Sequence, residues 1–228
     1  MSIMLITQQL KHALQWYSKR LETHPLTTKG LTSGLVSGSG DLLCQAIVGH
    51  YRNHHRTNDV DNNDNNKQPQ SFLQRVDWIR TARFAFLGTV LVAPIVHYWY
   101  GALMKYIPGQ TMMATFQRTF YDQTVMAPLF IPTFMSCLMM LEGKTSFEKE
   151  IVPALQREYK DLLITNWFMW IPAQLVNFRF VPSRFQVLFS NVVALLWNAY
   201  FSYKTSSSSG SLSQFKNAST EFVPDTIK

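Results

Sequence analysis

Residues 161–204 read DLLITNWFMWIPAQLVNFRFVPSRFQVLFSNVVALLWNAYFSYK, and this segment indicates the environment of the whole chain. It contains two runs without a charged residue, 162–178 and 185–203. Each run is close to the roughly 20 residues that a helix needs to cross a hydrocarbon layer about 30 Å thick. A soluble core helix rarely combines such a length with so many Trp, Asn and Gln residues. The segment therefore predicts a membrane protein.

Three segments upstream, 26–50, 84–104 and 123–141, are also long and poor in charge. The 162–203 region allows either two spans, or one span and one helix in the interface, and residues 162–178 are the part expected to be tilted or partly interfacial. We predict an all-α integral membrane bundle with about four transmembrane helices, kinked by prolines within or beside the spans. The prolines concerned are Pro94, Pro128, Pro132 and Pro172.

The ends and one loop differ in composition from this predicted bundle, which we place at residues 25–204. Residues 1–24 are basic, carry no acid before Glu22 and predict an amphipathic N-terminal helix, a pattern that suits mitochondrial import. Residues 51–72 are rich in Asn and predict a disordered loop. Residues 205–228 begin with a run of Ser and predict a flexible tail.

Composition argues against several classes of function. The net charge of +7 suits anionic lipid headgroups, whereas a nucleic-acid partner is not expected because the basic residues are scattered between apolar runs. Cys44 and Cys137 lie in apolar segments without a C-x-x-C pattern, so we expect no disulfide and no metal site. No catalytic motif or dinucleotide fingerprint is present, so we expect neither an enzyme nor a bound cofactor.

Polar side chains inside the apolar spans are the candidate functional residues. They are Asp41, Gln45, Asp122, Gln123, Gln174, Asn177 and Asn198. An ionisable group at membrane depth costs at least about 2.5 kcal/mol unless it faces a partner or water. Two roles are open for these residues: they line a narrow polar pore, or they join helices by hydrogen bonds, with Asp41 paired to Arg80, Arg83 or Arg184.

Small and aromatic residues have simpler interpretations. Gly30, Gly34 and Gly38 recur every four residues and predict a helix face that packs closely against a neighbouring helix. Tryptophans near the ends of the apolar runs are interpreted as anchors at the membrane interface rather than as ligand contacts. These are Trp99, Trp167, Trp170 and Trp197.

An ordered set of motifs gives the chain a family resemblance. The pattern W-x-x-W-x-P-x-Q-x-x-N-F-x-x-V-P-x-R begins at Trp167, and W-N-x-Y-x-S begins at Trp197. With shorter matches upstream, the chain resembles the Mpv/PMP family over most of its length. The signature residues that carry the resemblance are Trp167, Trp170, Pro172, Phe178, Pro182, Arg184 and Trp197.

This resemblance implies a small multi-pass protein of the mitochondrial inner membrane, with the peroxisomal membrane as the alternative location. The implied activity is a weakly selective channel for small metabolites or ions that supports metabolite homeostasis and mitochondrial genome maintenance. A non-conducting structural or assembly subunit is the alternative. The expected partners are the lipid bilayer, small metabolites or ions, and a second copy of the chain or a larger membrane complex.

Overall fold

The structure is a computed structural model that describes residues 2–58 and 76–208, and these residues are almost entirely helical. The helices are α1 (Ser2–Thr23), α2 (Pro25–Asn58), α3 (Trp78–Tyr106), α4 (Met112–Leu141), α5 (Val152–Phe180) and α6 (Gln186–Ser208). A short 3-10 turn, Ser183–Phe185, precedes α6. The all-α membrane bundle predicted from the sequence is confirmed.

Within the described ranges, three helical segments are long and apolar enough to cross a membrane: Trp78–Tyr106, Met112–Leu141 and Ser183–Lys204. The predicted number of about four spans is therefore not confirmed. Helix α5 contains the 162–178 segment that we expected to be partly interfacial, and it runs through that segment without a break. It buries Leu162 and Phe178 at opposite ends of the segment, while Phe168 between them is 87% exposed, so one face of the segment packs against the bundle.

Hydrogen bonds define how the helices run. Helix α2 lies parallel to α6, because Ser33 contacts Asn191 and Ser37 contacts Asn198 further along both helices. Helix α5 lies antiparallel to α6, since Thr165 bonds Tyr200 near one end and Asn177 bonds Ser190 near the other. The less apolar helices α2 and α5 thus both lie beside α6.

Three π-helical turns, Gly88–Val92, Asp122–Met126 and Phe147–Ile151, each lie just before a proline. Proline has no backbone N–H and interrupts the regular hydrogen-bond ladder. The wider turn restores part of the ladder: the N–H of Ala127, beside Pro128, donates to the carbonyl of Asp122 five residues earlier. Pro132 and Pro172, by contrast, lie inside continuous α-helix. The turn in α4 places Asp122 and Gln123 in the bundle interior.

Helix α2 approaches its neighbours closely at glycines. A Cβ added to Gly34 would overlap Thr89 Oγ1 and lie 2.9 Å from the carbonyl oxygen of Ala85 on α3. On another face of α2, a Cβ at Gly40 would lie 2.6 Å from Asn198 Cβ on α6. Gly30 and Gly38 have room for a methyl group, at 3.5 Å and 3.4 Å from the nearest atoms. The predicted glycine face lies against α3, and Gly34 is its tightest position.

A buried arginine orders the connection between α3 and α4. Arg118 is fully buried, and its guanidinium donates to the carbonyl oxygens of Ile107 (2.6 Å) and Gly109 (2.5 Å). Gly109 adopts a positive φ of 92°, which glycine tolerates without strain. The connection is thereby fixed to the first turns of α4.

The predicted end segments are described only in part. The N-terminal helix is present as α1 and contacts α2 through Tyr17 and Thr32, whose side-chain oxygens are 3.2 Å apart. Helix α2 continues to Asn58, so the first part of the predicted 51–72 loop is helical, and residues 59–72 lie outside the described ranges. Helix α6 continues to Ser208, and residues 209–228 of the predicted tail also lie outside them.

Candidate functional site

Asp41 is fully buried at the level where α2, α3 and α6 meet. Its carboxylate forms an ion pair with Arg80, whose Nε lies 2.9 Å from Oδ1. It also accepts hydrogen bonds from Ser202 Oγ at 2.5 Å and Thr81 Oγ1 at 2.7 Å. Gln45, one turn along α2, donates a further bond of 2.7 Å. We call these residues the Asp41 cluster.

The Asp41 cluster also secures the start of α3. Gln45 Oε1 accepts a 2.7 Å bond from the backbone N–H of Asp77, and the Asp77 side chain caps the helix by accepting from the N–H of Arg80. Arg80 in turn donates to the backbone carbonyl and the hydroxyl of Ser202. Of the three arginines considered from the sequence, Arg80 is the partner of Asp41. Both carboxylate oxygens are engaged, so the structure places Asp41 and Gln45 in helix–helix contacts.

Asp122 lies in a different environment, in the π-helical turn of α4. It is 5% exposed and accepts hydrogen bonds from Trp99 Nε1 at 2.9 Å, Gln123 Nε2 at 2.7 Å and Gln174 Nε2 at 2.9 Å. All of these donors are neutral. Among the residues whose side chains the structure describes, no cationic group forms an ion pair with this carboxylate.

Neutral polar groups extend from Asp122 across α3, α5 and α6. Gln174 Nε2 also donates to Tyr100 OH at 2.6 Å, and that hydroxyl lies 2.8 Å from Ser190 Oγ. Asn177 Nδ2 contacts Gln174 Oε1 and Ser190 Oγ at 3.0 Å and 3.1 Å. On the other side, Gln123 Oε1 accepts a 3.0 Å bond from Asn166. We call this set, with Asp122, the Asp122 cluster.

A cavity of about 100 Å³ borders the Asp122 cluster. This volume holds several water molecules. Its polar lining consists of Ser33, Ser37, Tyr100, Asp122, Gln123, Asn166, Gln174, Ser190, Asn191 and Asn198, and its remaining lining is apolar. On α6 the lining runs from Val187 to Phe201, which corresponds to roughly 20 Å along the helix. The cavity is therefore elongated along the bundle.

The structure separates the predicted polar residues into two groups. Asp122, Gln123, Gln174 and Asn198 line the cavity, whereas Asp41 and Gln45 lie in the Asp41 cluster. Asn177 supports the cavity wall through Gln174 without lining it. Asn198 Nδ2 also contacts Ser37 Oγ at 3.3 Å, so this amide joins α6 to α2 while facing the cavity.

Sequence reasoning did not select several residues that complete the site. Tyr100 and Ser190 stand in uncharged runs where nothing distinguishes a buried hydroxyl from a membrane-facing one. Ser33 and Ser37 were visible only as neighbours of the glycine face, although their spacing of four places them on one side of α2 with Asp41. Asn191, by contrast, is an amide that the sequence already shows inside the last apolar run; it is 5% exposed, lines the cavity and accepts a hydrogen bond from Ser33 through its Oδ1. For the two serines, the recurrence of polar residues every four positions, at 33, 37 and 41, was the sequence signal that could have identified them.

Two of the tryptophans interpreted as interfacial anchors donate hydrogen bonds within the bundle. The Nε1 of Trp99 bonds Asp122, and the Nε1 of Trp167 bonds the backbone carbonyl of Gln123 at 3.0 Å. Trp170 and Trp197 line the cavity. The π-helical turn of α4 presents acceptors that these indole N–H groups reach. The interpretation of the tryptophans as interfacial anchors stays a prediction.

The other signature residues mostly shape the same region. Phe178 is buried edge-on against the ring of Tyr100, with centroids 5.4 Å apart, and Pro172 lies within α5. Pro182 precedes the 3-10 turn that leads into α6. Arg184 is exposed, stacks over Phe185 and lies 3.8 Å from Glu22 on α1. The signature thus builds the end of α5 and the start of α6 around the Asp122 cluster.

These observations define a helical membrane protein with a partly polar cavity between its helices. A family model described as Mpv17 / PMP22 family matches residues 139–202. The chain is 32% identical to Protein sym-1 of Neurospora crassa over 83% of this chain and 97% of that protein. It is 31% identical to human Mitochondrial inner membrane protein Mpv17 over 82% of this chain and 94% of that protein.

Peroxisomal membrane protein 2 of Bos taurus is 28% identical over 83% of this chain and 88% of that protein. The chain belongs to the Mpv17/PMP22 family. The names of these relatives agree with the location expected from the sequence, the mitochondrial inner membrane with the peroxisomal membrane as the alternative. No solved structure matches the chain.

Proposed function

We propose that this protein forms a weakly selective passage for small metabolites or ions across an organellar membrane. The observation that carries the proposal is Asp122, a buried acid that borders the cavity and contacts only neutral donors among the described residues. A buried acid without a cation is costly at membrane depth, and this cost is offset when the group interacts with water or a passing solute. The cavity supplies the space for such a solute.

The rest of the lining suits small polar solutes of more than one kind. Tyr100, Ser190 and the amides of Gln174 and Asn191 present hydroxyl and amide groups that can both donate and accept hydrogen bonds. Asn191 Nδ2 is buried and has no hydrogen-bond partner in the described part of the chain. Because a single acid stands among neutral groups, we expect a modest preference for cations and little discrimination among solutes.

The test is single-channel recording of the purified protein in planar bilayers, with Asp122→Asn as the principal variant. Removal of one unit charge near a conduction path changes the interaction with a permeating ion by about 1 kcal/mol or more, which is at least about fivefold in the cation-to-anion permeability ratio. We expect discrete conductance steps in the wild type and a ratio lower by that factor in the variant.

Asp161→Asn is the matched control, because Asp161 is an exposed acid paired with Lys204 and does not line the cavity. It makes the same chemical change and is expected to leave the permeability ratio unaltered. An equal change in both variants would mean that the effect arises from net charge rather than from Asp122. A wild type that is folded and inserted but never conducts would contradict the proposal.

A non-conducting structural or assembly subunit is the second candidate. The observation in its favour is that many polar groups around the cavity already bond one another, as the Gln174–Tyr100–Ser190 chain shows. Such networks join helices without transporting anything. Silent bilayers, together with the loss of a defined large complex on native gels after Gly34→Val, would favour this candidate.

We further propose that the passage supports metabolite homeostasis and mitochondrial genome maintenance, and that the chain is neither an enzyme nor a nucleic-acid binder. The support is the family membership and the location of the relatives. The test is mitochondrial DNA copy number in cells that lack the protein and express either wild type or Asp122→Asn. Full rescue of the copy number by the variant would mean that genome maintenance does not depend on the passage.

A further inference from the structure

The cavity ends at an aromatic layer on the side that faces the Asp41 cluster. Phe134 is the last lining residue of α4 in that direction, and Phe201 is the last of α6. Their rings meet edge-on at 90° with centroids 5.3 Å apart. On α2 the lining likewise stops at Ser37, one turn before Asp41.

Other rings hold this pair in place. Phe84 and Phe130 each lie 6.0 Å from Phe134 between centroids, and Trp197 lies 6.0 Å from Phe201. Phe134 is 5% exposed and Phe201 is 2% exposed, so the layer is tightly filled. A narrow apolar layer in a passage stops ions and polar solutes because water does not wet it.

The residue after Phe201 belongs to the Asp41 cluster. Ser202 Oγ donates to Asp41 at 2.5 Å, and the Ser202 carbonyl accepts from Arg80 at 3.2 Å. These bonds join the end of α6 to α2 and to the start of α3. The position of the Phe201 ring against Phe134 therefore depends on the Asp41 carboxylate, which does not itself line the cavity.

We propose that Phe134 and Phe201 form the constriction that closes the passage, and that Asp41 is the positioning residue that holds Phe201 in the closed arrangement through Ser202. This inference rests on the proposed function for its role in transport. Opening requires α6 to shift relative to α4, which separates the two rings.

Access to the cavity is a readout that does not depend on conductance. In a background with Cys44→Ala and Cys137→Ala, Asn191→Cys places one thiol in the cavity. The protein is reconstituted into liposomes in a known orientation. A membrane-impermeant, positively charged thiol reagent is then added on the side of the Asp41 cluster. We expect Phe201→Ala to raise the rate of labelling about tenfold or more, because a shift of about 1.4 kcal/mol in a closed–open equilibrium is tenfold.

Phe178→Ala is the matched control, since Phe178 is as buried as Phe201 and packs against Tyr100, away from the aromatic layer, without lining the cavity. It removes the same group outside the aromatic layer and is expected to leave the labelling rate unchanged. If Phe201→Ala does not fold, Phe134→Ala and Phe201→Leu test the same constriction. Equal labelling rates in the wild type, Phe201→Ala and Phe134→Ala would overturn the inference.

The positioning role of Asp41 has its own readout. Asp41→Asn is expected to accelerate labelling of Asn191→Cys severalfold, and Asp41→Glu, which keeps the carboxylate, is expected to restore the slow rate. A purely structural role predicts a loss of stability in Asp41→Asn with no change in labelling of the folded fraction. That result would remove Asp41 from the inference.

Recordings on the same variants distinguish failure of the inference from failure of the proposed function. We expect Phe201→Ala to increase open probability while leaving the cation-to-anion permeability ratio unchanged. Channels that open equally often in the wild type and in Phe201→Ala would overturn the constriction but keep the passage. Silent bilayers in every variant, with faster labelling in Phe201→Ala, would keep the constriction and contradict the proposed function.

Discussion

Two buried aspartates of this protein lie in opposite chemical environments. Asp41 has an arginine and three further side-chain donors around both carboxylate oxygens, and it does not border the cavity. Asp122 has only neutral donors among the described residues, and it lies on the cavity wall. The same residue type therefore joins helices in one region and borders the cavity in the other.

The difference shows how to separate structural from functional polar groups inside a membrane bundle. A buried charge with a paired counter-charge resists removal, because its loss leaves the partner uncompensated. A buried charge without a counter-charge contributes little to stability, so another role has to offset its cost. We therefore expect substitution of Asp41 to lower mainly the stability of the protein, and substitution of Asp122 to change mainly its ion selectivity.

The largest expected effect is on the stability of Asp41→Asn. The substitution leaves Arg80 without its counter-charge in a position where the Arg80 side chain is 19% exposed. Removing one partner of such a pair costs about 3 kcal/mol, the lower end of the usual range because Arg80 retains some exposure. Thermal unfolding in detergent, followed by tryptophan fluorescence, should show a clearly lower midpoint.

The double variant Asp41→Asn with Arg80→Gln is the control for this prediction. Neutralising both partners removes the uncompensated charge, so part of the lost stability should return. If the double variant is no more stable than Asp41→Asn, the ion pair is not what stabilises the Asp41 cluster, and the contrast between the two aspartates disappears.

A substitution on the glycine face of α2 tests whether close helix packing extends from the Asp41 cluster toward the middle of the bundle. Gly34→Val adds three carbons where even a Cβ overlaps Thr89 and approaches the Ala85 carbonyl. Overpacking of this kind costs about 1–3 kcal/mol, and the unfolding midpoint should fall accordingly. Gly101→Ala is the control, since nothing lies within 4 Å of a Cβ there. Alanine favours a helix more than glycine does, so this control should lose no stability, and a loss like that of Gly34→Val would mean that close packing is not the cause.

The sequence predicted one aspartate better than the other, because opposite charges suggest a pairing whereas neutral donors do not. Asp41 carries a charge in an apolar run, and Arg80 is one of few basic residues at the start of the next span, so their pairing was among the alternatives. The donors to Asp122 are spread over three helices, at Trp99, Gln123 and Gln174. Only the tertiary arrangement of α3, α4 and α5 brings these residues together.

Sequence rules for helix formation also did not predict the π-helical turn at Asp122–Met126. Pro128 predicted a disturbance of the helix but not its form, because a kink and a wide turn both accommodate a missing N–H. Hydropathy likewise could not determine whether α2 and α5 span, since Ser, Gly, Asn and Gln lower the average while packing inward. Mean hydropathy is close to zero for the whole chain.

A smaller effect is expected for Tyr100→Phe in the Asp122 cluster. The substitution removes a hydroxyl that accepts from Gln174 and contacts Ser190. Gln174 keeps its bond to Asp122, and Ser190 keeps its bond to Asn177, so the loss should be about 1 kcal/mol. Thermal unfolding measures it, with Tyr98→Phe as the exposed control. A loss as large as that of Asp41→Asn would show that the Asp122 cluster is a structural unit of equal importance.

The smallest stability change is expected for Asp122→Asn, which has the largest expected effect on ion selectivity. The amide keeps one oxygen for the donors that surround Asp122 and loses the other, which costs one hydrogen bond of about 1 kcal/mol. It also removes a buried charge that no described cation compensates, and this gain opposes the loss. The unfolding midpoint of Asp122→Asn should therefore lie close to that of the wild type and well above that of Asp41→Asn. If instead the two variants unfold at the same temperature, the cavity acid is a second structural charge like Asp41.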